Sequence, residues 1–162
     1  MDGFIEWLRA TPLSQAIVFR IWIWPLCETL HFIGLALVIG IAGFFDLRLI
    51  GFFNQISVDD ARELMPLAVG GFLLNAFTGV TFLIGHPEQY AHNPSWWWKV
   101  AFLAIAGLNA LIFTALVGKQ TVGLPPGSDT PASAKAIGAV SLISWFAVLY
   151  FGRMLPFLGG AF

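Results

Sequence analysis

LCETLHFIGLALVIGIAGFFDLRLI, residues Leu26–Ile50, decides the fold. Ionisable side chains stand only near its two ends, as Glu28 and His31 at one and Asp46 and Arg48 at the other. From Phe32 to Phe45 nothing carries charge. About 20 apolar residues rising 1.5 Å each cross the ~30 Å of a bilayer's hydrocarbon. Three more runs match the first, at about Pro66–Gly85, Trp97–Val117 and Ala136–Phe157. None alternates in the short period of a barrel strand. In hydrocarbon each segment must satisfy its own backbone polar groups, so these runs predict helices. The fold expected is all-α, an integral membrane four-helix bundle in a single domain over residues 1–162.

Composition agrees with lipid as the solvent. Hydrophobic residues make up 58% of the chain, charged residues only 10%, and the mean hydropathy is +0.81. Soluble domains carry about 25% charged residues, enough to cover their surface. The net charge of −1 and the lack of any basic tract exclude the usual nucleic-acid-binding designs. Cys27 is the one cysteine, so no disulfide forms within the chain. The N-terminal stretch sets Asp2 and Glu6 against Arg9, unlike the basic start of a cleaved signal, and the first span is expected to be retained.

The connecting pieces read as interfaces. Phe4–Arg9 is a short amphipathic segment expected to lie on the membrane as an N-terminal interfacial helix. Trp22, Trp24 and the run Trp96–Trp98 suit the headgroup belt, and Pro25 suits the first turn of the first span. Ser57–Glu63 reads as an exposed helical connection, and Gly123–Ala132 as a Pro- and Gly-rich loop. Asp46 and Arg48, two residues apart, do not face one another and read as interfacial anchors. Contact faces are expected along Ala36, Gly40 and Gly43 on the first helix, and along Gly71, Asn75, Gly79, Phe82 and His86 on the second. Lys99, Phe102, Ala106 and Asn109 share a face on the third; Ser141, Trp145, Val148 and Gly152 share one on the fourth. Asn75, Thr78, Asn109 and Ser144 suit interhelical hydrogen bonds.

Four spans put both termini on one side, the terminal side. Arg9, Arg20, Lys99 and Arg153 lie there, against Arg48, Arg62, Lys119 and Lys135 opposite. The tie gives no orientation under the positive-inside rule.

Ionisable groups inside a membrane are costly and point to function. Glu28 and His31 share one face of the first helix, about 8 Å deep at His31. His86, His92, Lys99 and Arg153 collect at the same side. The leading expectation is a small electron-transfer or redox-complex subunit binding haem b. In it His31 and His86 are the axial ligands, Lys99 or Arg153 pairs with the propionates, and Glu28 orients an imidazole. The alternative is copper or another metal held by Cys27, His31, His86 and Met154. A quinone site with a protonatable Glu28–His31 pair, or a cofactor-free accessory subunit, also suits the pattern. In the structural alternative, Glu28 pairs with Arg153 or Lys99, and His31 bonds Ser, Thr or a carbonyl across helices. The chain has no G-x-S-x-G, no phosphate-binding Walker loop, no H-E-x-x-H and no C-x-x-C, so no catalytic activity of its own is expected. Expected partners are the lipid bilayer, other membrane subunits or further copies of the chain.

The block Glu28-Thr29-Leu30-His31 and the block Asp46-Leu47-Arg48-Leu49 carry a family resemblance. With Tyr90, Asn93-Pro94, Lys99, Gly107-Leu108-Asn109-Ala110 and Gly152-Arg153, the chain resembles a bacterial four-helix membrane family catalogued as a domain of unknown function. The resemblance covers nearly the whole chain. It implies a four-helix fold and a bacterial inner-membrane location, and it carries no activity with it.

Overall fold

The structure is a computed structural model and describes residues 2–158. Its helices are α1 (Asp2–Arg9), α2 (Pro12–Phe19), α3 (Ile23–Ile50), α4 (Val58–Glu63), α5 (Met65–Gly85), α6 (Pro87–Ala91), α7 (Pro94–Ile112) and α8 (Ala132–Leu158). No strand occurs among the described residues. Four stretches are long and apolar enough to cross a membrane: Ile23–Ile50, Val58–Gly85, Pro94–Thr121 and Ala132–Leu158. At 27 or 28 residues, each spans about 40 Å and reaches past the hydrocarbon into both headgroup layers. The chain is a multi-pass four-helix membrane bundle.

The spanning helices start one to four residues before the apolar runs. Pro25 sits in the first turn of α3, where its missing N–H costs nothing. Asn93 caps α7, its side chain accepting from the Ser95 N–H at 2.9 Å, with Pro94 at the first helical position. The N-terminal segment is two short helices rather than one. Thr11 accepts from the Ser14 N–H and starts α2. Phe4, Trp7 and Phe19 stay exposed on these helices, as an interfacial pair requires.

α3 is the centre of the bundle. It packs on α5 and on α8, and α7 packs on α8, whereas α5 and α7 share at most a marginal contact. The helices therefore pack in the order α5–α3–α8–α7, and α5 and α7 do not pack closely on one another. Glycines set the close contacts. A Cβ on Gly34 would lie 2.6 Å from the Asn75 amide and 2.7 Å from the Gly71 carbonyl; on Gly138 it would lie 2.8 Å from the Asp46 carbonyl. The expected line of Ala36, Gly40 and Gly43 is corrected here, since nothing lies within 4 Å of a Cβ on Gly40 or Gly43. Packing follows the glycines that meet a backbone on the facing helix, and a run of small residues along one helix does not reveal which those are.

The end opposite the terminal side is sealed. Phe45, Leu49, Val58, Ala61, Val117 and Ala134 form its core. The α4 connection is helical as expected, with Asp60 and Glu63 exposed on one face and Val58 and Ala61 fully buried on the other. Arg48 and Asp46, expected as interfacial anchors, are 0% and 4% exposed. The chain folds back over them. Arg48 Nε donates to the Ile56 carbonyl at 2.5 Å and Nη2 to the Ser128 carbonyl at 3.4 Å. Around this pin, Thr130 Oγ1 donates to the Leu49 carbonyl, Gly127 N–H to the Asn54 carbonyl, and Gly123 N–H to Asp59. Arg62 binds Asp59, Thr121 Oγ1 and the Gly118 carbonyl. Gly51, at φ +118°, turns the chain out of α3, its N–H returning to the carbonyls of Leu47 and Arg48.

Candidate functional site at the terminal side

Two hydrogen bonds and an ion pair define the terminal side. Asn93 Nδ2 donates to the Leu155 carbonyl at 2.7 Å, tying the start of α7 to the end of α8. His92 Nε2 meets Asp2 Oδ1 at 3.2 Å, and Arg9 meets Glu88 at 3.9 Å, which ties α1 to the α6 segment.

His31 reaches across the α3–α5 contact. Its Nδ1 stands 2.7 Å from Oγ1 of Thr78, a fully buried residue. The Thr78 hydroxyl has its own acceptors, the Leu74 carbonyl at 2.9 Å and the Asn75 carbonyl at 3.2 Å. A hydroxyl has one proton to give. With that proton directed to its own helix, Thr78 oxygen accepts from His31 Nδ1–H. The neutral imidazole then carries its lone pair on Nε2. Just above this pair, the Asn75 amide bridges to α3: its nitrogen donates to the His31 carbonyl at 2.7 Å, and its oxygen accepts from the Leu35 N–H at 3.0 Å.

His31 and His86 are not brought together. They stand at opposite ends of a run of ring contacts: His31 to Phe82 at 5.6 Å, Phe82 to Trp24 at 4.8 Å, Trp24 to His86 at 5.1 Å. His86 ends α5 and turns its Nδ1 to Glu88 at 3.5 Å. Glu28 pairs with neither Lys99 nor Arg153. It accepts from the Trp24 indole N–H at 3.0 Å, one turn back on the same helix. The i,i+4 spacing of Trp24 and Glu28 was the signal for that bond. Tyr90 was not singled out as a site residue, although it is buried against the Trp96 ring at 5.0 Å. Burial, with the Glu28 charge acting in the same direction, pushes its phenol up to about 12, so it stays a neutral donor.

Lys99 lies half-buried on α7. Its stem runs along Gly152 of α8, with Nζ 3.7 Å from where a Cβ would stand. Its ammonium makes no hydrogen bond or ion pair among the described residues. Arg153, the next residue along α8, sets its guanidinium 5.2 Å over the Phe157 ring. Cys27 is buried and, as the one cysteine, makes no disulfide within the chain. Among the described residues no group of three or more His, Cys, Asp or Glu is placed to hold a metal ion. Of the interhelical bonds expected, Thr78 makes one to His31 and Asn109 donates to the Ile137 carbonyl at 3.0 Å. Ser144 instead bonds the Val140 carbonyl of its own helix.

Comparison with known families, with curated proteins and with solved structures returns no match.

Proposed function

We propose that this chain is a small redox-complex subunit of the bacterial inner membrane that holds the head group of a quinone-type carrier at its terminal side. His31 is the residue that meets the carrier. The family suggested by the Glu28–His31 and Asp46–Leu49 blocks belongs to the same proposal. One observation carries the reading: His31 Nδ1 stands 2.7 Å from Thr78 Oγ1, and with the Thr78 proton given to the Leu74 carbonyl the imidazole lone pair lies on Nε2. That nitrogen accepts a hydrogen bond from a quinol hydroxyl and, once protonated, donates one to a quinone carbonyl. Phe82 supplies a ring beside the imidazole, and α5 and α7 are not closely packed on one another, which leaves a lateral approach to a lipid-borne molecule. Electrons would come from a partner subunit, since this reading gives the chain no redox centre of its own.

Haem b is the second reading, favoured by the same nitrogen. A histidine with Nδ1–H bonded and Nε2 bare is in the state an axial ligand needs. His86 would reach the same iron only after the Phe82 and Trp24 rings moved. Copper needs Cys27, His31, His86 and Met154 to converge, and among the described residues no group of three or more His, Cys, Asp or Glu is gathered that way.

Purification in mild detergent tests these readings together, by an oxidised and a dithionite-reduced spectrum and by solvent extraction of bound lipophiles. The quinone reading expects a co-purifying quinone and a spectrum without a Soret band. A Soret band lost in His31→Ala moves haem to first place. Absence of both, from protein made with ample haem and quinone, leaves the cofactor-free accessory subunit.

A further inference from the structure

α7 and α8 contain no aspartate or glutamate, yet they bring Lys99 and Arg153 to the terminal side of their shared seam. Lys99 lies five residues into α7 and Gly152 six before the end of α8, so both stand about 8 Å inside the helix ends. Arg153 follows Gly152 directly. Three of the four acids at this end have partners elsewhere, Asp2 with His92, Glu88 with Arg9 and His86, and Glu28 with Trp24, and the fourth, Glu6, lies on α1. A half-buried ammonium at the edge of hydrocarbon without a counter-charge is costly, and an anion beside it removes that cost. The flanking surface is aromatic. Trp98 stacks on Phe151 at 6.0 Å and Phe151 on Phe102 at 5.8 Å, a wall suited to the glycerol and upper acyl region of a lipid.

We infer that Lys99 and Arg153 hold the phosphate of an anionic phospholipid in the α7–α8 seam. The lysine stem lies along α8 at Gly152, within van der Waals distance of where a Cβ would stand, so that both cations present to one phosphate at headgroup depth. Basic pockets between spanning helices are the usual form of such sites, and each cation near the surface contributes about 1 kcal/mol to anionic lipid binding. The site involves neither Thr78 nor the imidazole, so it stands whether or not a quinone binds.

The test is native mass spectrometry of protein released from nanodiscs containing equal phosphatidylcholine and phosphatidylglycerol. Wild-type protein should retain phosphatidylglycerol preferentially. K99Q/R153Q should lose that preference by about tenfold or more, and K119Q, at the other side, should keep it. Retention by the double variant equal to wild type overturns the inference. If the double variant does not fold, R153Q alone, at an exposed position, is the readout. About a fivefold loss then supports the site and no change overturns it. An excess of inorganic phosphate separates the two sources of the anion. Lipid that stays on wild-type protein supports the phospholipid, and lipid stripped by phosphate makes the site one for free phosphate and overturns it.

Discussion

The two ends of the bundle carry four basic residues each and use them differently. At the far end Arg48, Arg62 and Lys135 are bound by carbonyls, hydroxyls and carboxylates of the chain itself. The loops they tie down exclude water from Arg48 altogether. At the terminal side Lys99 has no ion-pair partner among the described residues, Arg153 rests on a ring, and His31 Nε2 has no hydrogen-bond partner among them. At the far end the bound charge closes the fold, with Arg48 Nη1 and Asp46 Oδ2 left buried and unpartnered among the described residues. At the terminal side the polar groups that lack an internal partner are half-buried or exposed, where a ligand can reach them.

Breaking the far end should have the largest effect. Arg48→Met removes the donors to Ile56 and Ser128 and leaves both carbonyls under the loops. A loss of roughly 3 kcal/mol or more is expected, read as a lower unfolding temperature in detergent. Arg48→Lys should recover little, because a point charge cannot reach two carbonyls in the guanidinium's fork. An Arg48→Met variant as stable as wild type would remove the contrast between the ends.

Next is the α3–α5 contact that carries the site. Gly34→Val forces a side chain into the Asn75 amide and the Gly71 backbone, and about 2 kcal/mol or more of destabilisation is expected. Gly43→Ala, with open space around it, should stay within about 0.5 kcal/mol of wild type. Equal effects from the two would show that α3 does not pack as described.

Thr78→Val sharpens the account of the imidazole. It keeps the shape and removes the acceptor for Nδ1–H, for about 1 kcal/mol of stability. Its informative readout is the ¹⁵N spectrum of His31, in which the Nδ1–H form should dominate in wild type and give way to a mixture of tautomers in the variant.

The smallest effect belongs to Asp129 and Lys135, 2.7 Å apart at the far loop. The hydrogen bond from Lys135 holds this exposed carboxyl below its ordinary value near 3.8. A depressed folded value stabilises the protein above that ordinary value and ceases to as pH falls through the folded one. Asp129→Asn should therefore lower the unfolding temperature slightly at pH 7 and leave it unchanged in strong acid, with an effect near the limit of detection.

Most of the architecture was legible in the sequence because span length in hydrocarbon leaves few choices. The four runs, the interfacial start and the gathering of Glu28, His31, His86, Lys99 and Arg153 toward one side all came from hydropathy and helix direction. Partners were less legible. Which glycine meets a facing backbone depends on helix rotation, which a four-residue spacing does not specify, so Gly40 and Gly43 were expected where Gly34 and Gly138 do the packing. Arg48 reads as an anchor until residues 51–57 and 122–131 are seen to fold over it, a contact about eighty residues long in sequence for Ser128. His31 and His86 share an end of the bundle, yet the Phe82 and Trp24 rings that separate them are visible only in three dimensions.

The central claim is that His31 Nε2 receives a lipid-borne head group. Equilibrium binding of a labelled short-tailed quinone to the protein in nanodiscs tests it most directly, with wild type, His31→Gln and Gly43→Ala measured side by side. The account predicts saturable binding at one site per chain, unchanged in Gly43→Ala and weakened at least about tenfold in His31→Gln, a loss of about 1.4 kcal/mol. Saturable binding of equal strength in His31→Gln would contradict it.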